Sequence, residues 1–123
     1  MSETNKKLVI MITCGLDSEK MSVGWLIANG AITNGLDVTV FLTSSAVDCV
    51  RKGAADLINP NPLDPPVGEM ISSLLSRGGK VLVCPPCAKV RGYSEESFIP
   101  GVAMQGASGM FEPMKAGAAT LCF

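Results

Sequence analysis

The sequence predicts an α/β domain, a five-stranded parallel sheet wrapped by helices, and three observations carry that expectation. Short β-branched runs alternate with helical patterns along the chain. The first run, Leu8 to Cys14, is continuously apolar, as a strand buried on both faces is. Strand, helix and strand then follow within about thirty-five residues, a βαβ unit with parallel strands and a right-handed crossover.

Each element has its own signal. Gly15 bounds the first strand, and Asp17 or Ser18 can cap a helix running to about Asn34. That helix carries Met21, Trp25, Ala28 and Ile32 on one stripe, with Gly35 just past its end. Asp37 to Thr43 forms the second strand. Ser44-Ser45 offers a cap for a short helical turn holding Cys49. The prolines Pro60, Pro62, Pro65 and Pro66 make the next segment a loop. Pro66 suits the first position of a helix in which Val67, Met70, Ile71, Leu74 and Leu75 share a face and which Gly78 terminates. Lys80 to Cys84 is the third strand. Beyond it come Cys84-Pro85-Pro86-Cys87, a short helical stretch ending at Gly92, and a capped turn starting at Ser94. Gly101 to Gln105 is a weak fourth strand, Met110 to Lys115 a short helix despite Pro113, and Ala119 to Phe123 a last strand.

A flavodoxin-like three-layer sandwich with strand order 2-1-3-4-5 accommodates these elements. Parallel sheets work at the carboxyl ends of their strands, where the strand order reverses. In this order that point lies between the first and third strands, so Cys14 and Cys84 would stand at neighbouring strand ends.

Composition narrows the chemistry. The 123 residues suit one domain, residues 1–123, able to bury a core without a structural metal. With no histidine, a Ser-His-Asp hydrolase, a Cys-His protease and an HExxH zinc enzyme are excluded. The 10 Lys+Arg against 11 Asp+Glu lack the basic excess of a nucleic-acid binder. Only 17% of residues are charged and 47% are hydrophobic, so some apolar surface is expected to be buried against other subunits. Gly78-Gly79-Lys80 precedes a strand and is no P-loop, and there is no GxGxxG.

Lys6-Lys7 and the apolar run after them imitate a secretory signal, yet no small-residue cleavage site follows, and Thr13 is poorly suited to a lipoprotein site at Cys14. No stretch approaches the roughly 18 apolar residues of a membrane span. Five cysteines, an odd number, in an unsecreted chain argue for free thiols and a cytoplasmic protein.

The CxxC motif is the strongest chemical signal. Two thiols at that spacing can join across one helical turn, and Lys89 and Arg91 add positive charge nearby. The expectation is a Cys84 thiolate stabilised by the helix N-terminus and Arg91, with its pKa below the free value of about 8.5. The motif also fits inert buried thiols, or half of a zinc site completed by Cys14, Cys49 or Cys122. Cys49 could reach the sheet edge of Cys14 or pack a short helix, with packing the favoured role, and Trp25 and Cys122 are expected to lie in the core. Met104, Met110 and Met114 could join thiols around copper(I), but core filling is the favoured role for methionine. No metal or cofactor is expected.

The runs KLVIMITCG, GLDVTVFLT, VLVCPPCAKVRGY and ATLCF together resemble the DsrE/DsrF-like family, which includes TusD-type sulfur-relay subunits and YchN-like proteins. The most specific piece is Cys84 followed by Arg91-Gly92. The resemblance implies a flavodoxin-like domain assembled into homotrimers or homohexamers, with a persulfide on Cys84 and with sulfur donor and acceptor proteins or small persulfides as partners. Cys87 departs from the single-cysteine relay pattern and matches the YchN-like branch. Cys14 and Cys87 are the candidate second thiols. A thiol beside a persulfide can release sulfide and leave a disulfide. Three readings therefore stand: a sulfur carrier or sulfurtransferase, a CxxC thiol-disulfide or peroxide redox protein, and an oligomeric binding module for a soft metal.

Overall fold

The structure is a computed structural model and describes residues 6–123. Its elements run β1 (Lys7–Ile12), α1 (Glu19–Thr33), β2 (Asp37–Leu42), a 3-10 helix (Ser44–Val50), α2 (Val67–Ser76), β3 (Lys80–Val83), α3 (Pro85–Lys89), a 3-10 turn (Glu95–Ser97), β4 (Val102–Met104), α4 (Ser108–Lys115) and β5 (Ala119–Cys122). All strand pairings are parallel, with Ile10 opposite Val40, Val40 opposite Val81 and Ile10 opposite Leu121. The α/β class and five-stranded parallel sheet are as the alternating pattern predicts.

The strand order is β4-β3-β2-β1-β5, which corrects the expected 2-1-3-4-5. β2 stands between β1 and β3. Each of the first three crossovers moves one place in the same direction, and right-handed connections then put α1, α2 and α3 on one face. The return from β4 to the far side of β1 runs the other way and carries α4 to the opposite face.

The two faces differ in cover. Leu8, Ile10, Ile12, Val38, Val40, Leu42, Val81 and Val83 alternate onto the side of α1 and α2 and join Trp25, Met21, Ile71 and Leu74 in one core. Each such side chain contributes about 1.5–3 kcal/mol through burial. Ser18 caps α1 by accepting from the Lys20 N–H, as expected. The Asn29 side-chain amide bridges the Trp25 and Met70 carbonyls, and Arg77 reaches Asn29 Oδ1 at 2.7 Å, so polar contacts lock α1 to α2.

On the opposite face, Val9, Phe41 and Leu82 are buried, but α4 has no fully buried residue and β5 is exposed throughout. Cys122 therefore lies on an exposed edge strand, where the sequence placed it in the core. Its apolar neighbours suggest a buried strand, but among the described residues only the short α4 covers that side. Among the described residues no helix is long and apolar enough to cross a membrane.

Candidate thiol site at the carboxyl edge of the sheet

Parallel pairing brings the carboxyl ends of β1, β2 and β3 to one edge. Cys14 follows β1 and Cys84 follows β3, with Thr43 and Ser44 between them at the end of β2. Two strand spacings separate the β1 and β3 ends by roughly 10 Å. A disulfide needs Cα atoms within about 7 Å, so the direct meeting of Cys14 with Cys84 does not occur without backbone movement. Cys87 is the thiol that Cys84 meets.

Pro85 and Pro86 open α3 at positions that need no amide donor, and Cys84 is its N-cap. The Cys84 carbonyl accepts from the Ala88 N–H at 3.1 Å, closing the turn that places Cys87 over the cap. The Cys87 backbone N–H lies close enough to the Cys84 sulfur to favour its charged form, and the adjacent Cys87 side chain disfavours that form. Ser44 supplies a second donor, its backbone N–H pointing at Cys87 Sγ from 3.2 Å. Both thiols are half-buried and free.

Electrostatics at Cys84 run against the expectation from sequence. Burial is the leading cause that raises its pKa above the ordinary thiol range, and the Cys87 thiol adds to it. The Cys87 N–H opposes this without reversing it. α3 has five residues, too short for a helix end to dominate. Arg91 turns to the backbone, its Nη1 donating to the Cys87 carbonyl at 3.0 Å.

Cys14 stands near Cys49, whose thiol burial pushes up to about 12, with the Asp48 and Cys14 charges adding to the rise. Cys49 is fully buried in the core, as its packing role predicts. Among the described residues the buried Trp25 indole N–H has no acceptor at hydrogen-bonding geometry, yet it lies close enough to the Cys49 sulfur to oppose that rise. Among the described residues no group of three or more Cys, Asp or Glu side chains gathers to hold a metal.

Two participants escaped the sequence reading. Ser44 was expected to cap the following turn, but Thr43 holds the cap position without a side-chain bond, and Ser44 itself adopts φ 53°. A non-glycine residue in the left-handed region stores strain, and here the strained peptide faces a thiol. The second is Tyr93, whose hydroxyl donates to Asp48 Oδ1 at 2.5 Å and whose ring lies 5.3 Å from the Arg51 guanidinium. This contact ties the loop after α3 to the 3-10 helix carrying Ser44. Neither has a sequence signal, because strain and a long-range hydroxyl bond have no local period.

A parallel α/β domain with a thiol pair at the carboxyl edge of its sheet defines the class. The chain belongs to the DsrE/DsrF-like family, whose model matches residues 6–123. It is 30% identical over 102 residues to the uncharacterized protein MJ0760 of Methanocaldococcus jannaschii, covering 82% of this chain and 37% of that one. With the uncharacterized protein MK0008 of Methanopyrus kandleri it shares 36% identity over 74 residues, 60% of this chain and 57% of that one. The matches thus span less than two thirds of these relatives' length. The YchN protein of E. coli superposes with a TM-score of 0.80 at 22% identity, covering 96% of this chain and 99% of that one. The structure of MTH1491 from Methanobacterium thermoautotrophicum gives 0.69 at 15% identity, covering 97% and 100%. These likenesses establish the fold.

Proposed function

We propose that the chain is a cysteine-based sulfur carrier of intracellular sulfur metabolism, acting in the cytoplasm as one domain, with Cys84 holding sulfane sulfur. Family membership supports a sulfur-relay role at the level of the class. The observation that carries the reading is the adjacency of the Cys84 and Cys87 thiols, with the Ser44 N–H on Cys87.

Cys84 releases its proton to solvent at the open carboxyl edge, while the Ser44 N–H holds the Cys87 sulfur in place beside it. The Cys84 thiolate then attacks the outer sulfur of a donor persulfide. A new S–S bond forms on Cys84, the donor S–S bond breaks, and the donor leaves as a thiolate. A raised pKa makes the thiolate more nucleophilic once formed. An acceptor thiolate takes the outer sulfur by the same exchange and restores Cys84. Arg91 holds the Cys87 carbonyl and so fixes the turn beside the reacting sulfur. Cys14, one strand beyond β2, serves as a second thiol only if the edge moves.

The same adjacency favours a second reading. Cys87 can attack the inner sulfur of the Cys84 persulfide, forming a Cys84–Cys87 disulfide and releasing hydrosulfide, after which a dithiol must reduce the pair. Homotrimers or homohexamers complete the proposal, supported by exposed Leu26, Ile27, Leu63 and Val90.

Intact mass after treatment with polysulfide tests this. The wild type and Cys87→Ser gain sulfur while Cys84→Ser does not. Loss of two hydrogens from the wild type without added sulfur would favour the redox reading and overturn the carrier.

A further inference from the structure

We propose that Met11, Met110, Met114 and Cys122 form an all-sulfur site for monovalent copper on the thinly covered face of the sheet, independent of the Cys84–Cys87 pair. The four side chains line one cavity of about 290 Å³. Two separate geometries bring them there.

Met11 and Cys122 are register partners on the adjacent parallel strands β1 and β5, so their side chains leave the same face of the sheet side by side. Met110 and Met114 are four residues apart on α4 and stack on one side of that helix. α4 packs against β1, closing the strand pair and the helix pair around one space. Val9 and its register partner Thr120 share this face and complete the wall.

Thioethers and a thiolate are the ligands that select copper(I), a soft ion content with few ligands and no fixed octahedral geometry. A site of one thiol and three thioethers offers harder divalent ions little, since they favour oxygen or imidazole donors. Core filling accounts for Met21 and Met70, which are buried. It does not account for Met114 and Cys122, which are exposed around this cavity. On binding, the Cys122 thiol releases its proton to solvent, one Cu–S(thiolate) bond and Cu–S(thioether) bonds form, and no electron moves.

The test uses the full chain carrying Cys84→Ser and Cys87→Ser, so that the CxxC thiols cannot bind the ion. Copper(I) is supplied without oxygen and competed with a chromogenic copper(I) chelator. The background protein binds one equivalent with an X-ray absorption signature of sulfur ligands alone. Cys122→Ser and the volume-conserving Met114→Leu each weaken binding by about tenfold or more. No binding by the background protein, as when a second copy covers the face, overturns the site. So does binding that neither substitution alters.

Discussion

The backbone N–H of Ser44 donates to the Cys87 sulfur at 3.2 Å, joining the end of β2 to the motif that follows β3. The donor is a main-chain group and the peptide is held at φ 53°. Replacing the side chain therefore tests strain without removing the bond. Ser44→Gly relieves a left-handed conformation that costs a serine about 1 kcal/mol and keeps the N–H in place. Sulfur loading on Cys84 is expected to match the wild type, with thermal stability unchanged or slightly higher. A large loss of loading would assign the role to the hydroxyl.

The half-buried environment of Cys84 sets the pH at which it reacts. Its pKa is raised, so the neutral thiol persists through the range where a free thiol ionises. The rate of alkylation of Cys84, followed in Cys14→Ser/Cys87→Ser, is the readout against the wild type. In the wild type the midpoint lies above the ordinary thiol value. Cys87→Ser removes a neighbouring charge and thiol that both raise it, and brings the midpoint down.

Cys49 links stability to alkali. A thiol near 12 in the folded chain and at its ordinary value of 9.0 when unfolded keeps its proton only when folded. The unfolded state loses that proton first, so the contribution is complete below pH 9 and is lost as pH rises toward 12. Denaturant melts of Cys49→Ala across that window are expected to fall less steeply with pH than the wild type, by up to one proton's slope.

Tyr93 tests the tie between the two loops of the site. Tyr93→Phe removes the hydroxyl that donates to Asp48 and keeps the ring stacked edge-on at 5.9 Å to Phe98. A charged hydrogen bond of this kind is worth about 1.5–3 kcal/mol, and partial exposure places the loss at the lower end. Urea unfolding measures it, and hydrogen exchange at residues 44–50 and 90–93 is expected to quicken together.

The helix most clearly written in the chain also carries the core. Leu74 is fully buried and Gly79 approaches it so closely that an added Cβ would lie 2.6 Å from Leu74 Cγ. Leu74→Ala is expected to cost about 2–5 kcal/mol in chemical unfolding, with the fold retained. Gly79→Ala destabilises as well, by overpacking the same spot.

Local pattern determined much of this protein by itself. The Ser18 cap, the apolar face of α2, the parallel class and the position of Cys84 at the end of β3 all follow from residue types at fixed spacing, because hydrophobic period and capping are local. The placing of Cys87 beside Cys84 follows equally from one turn of chain. Strand order does not, since every crossover in this sheet is compatible with several neighbours, and only the packed sheet put β2 between Cys14 and Cys84. The same packing left β5 at an edge, which turned Cys122 from a core residue into an exposed thiol beside three methionines. Burial and a paired sulfur raised the Cys84 pKa where nearby cations had suggested the reverse, because desolvation depends on what surrounds a thiol in space and not on its neighbours along the chain.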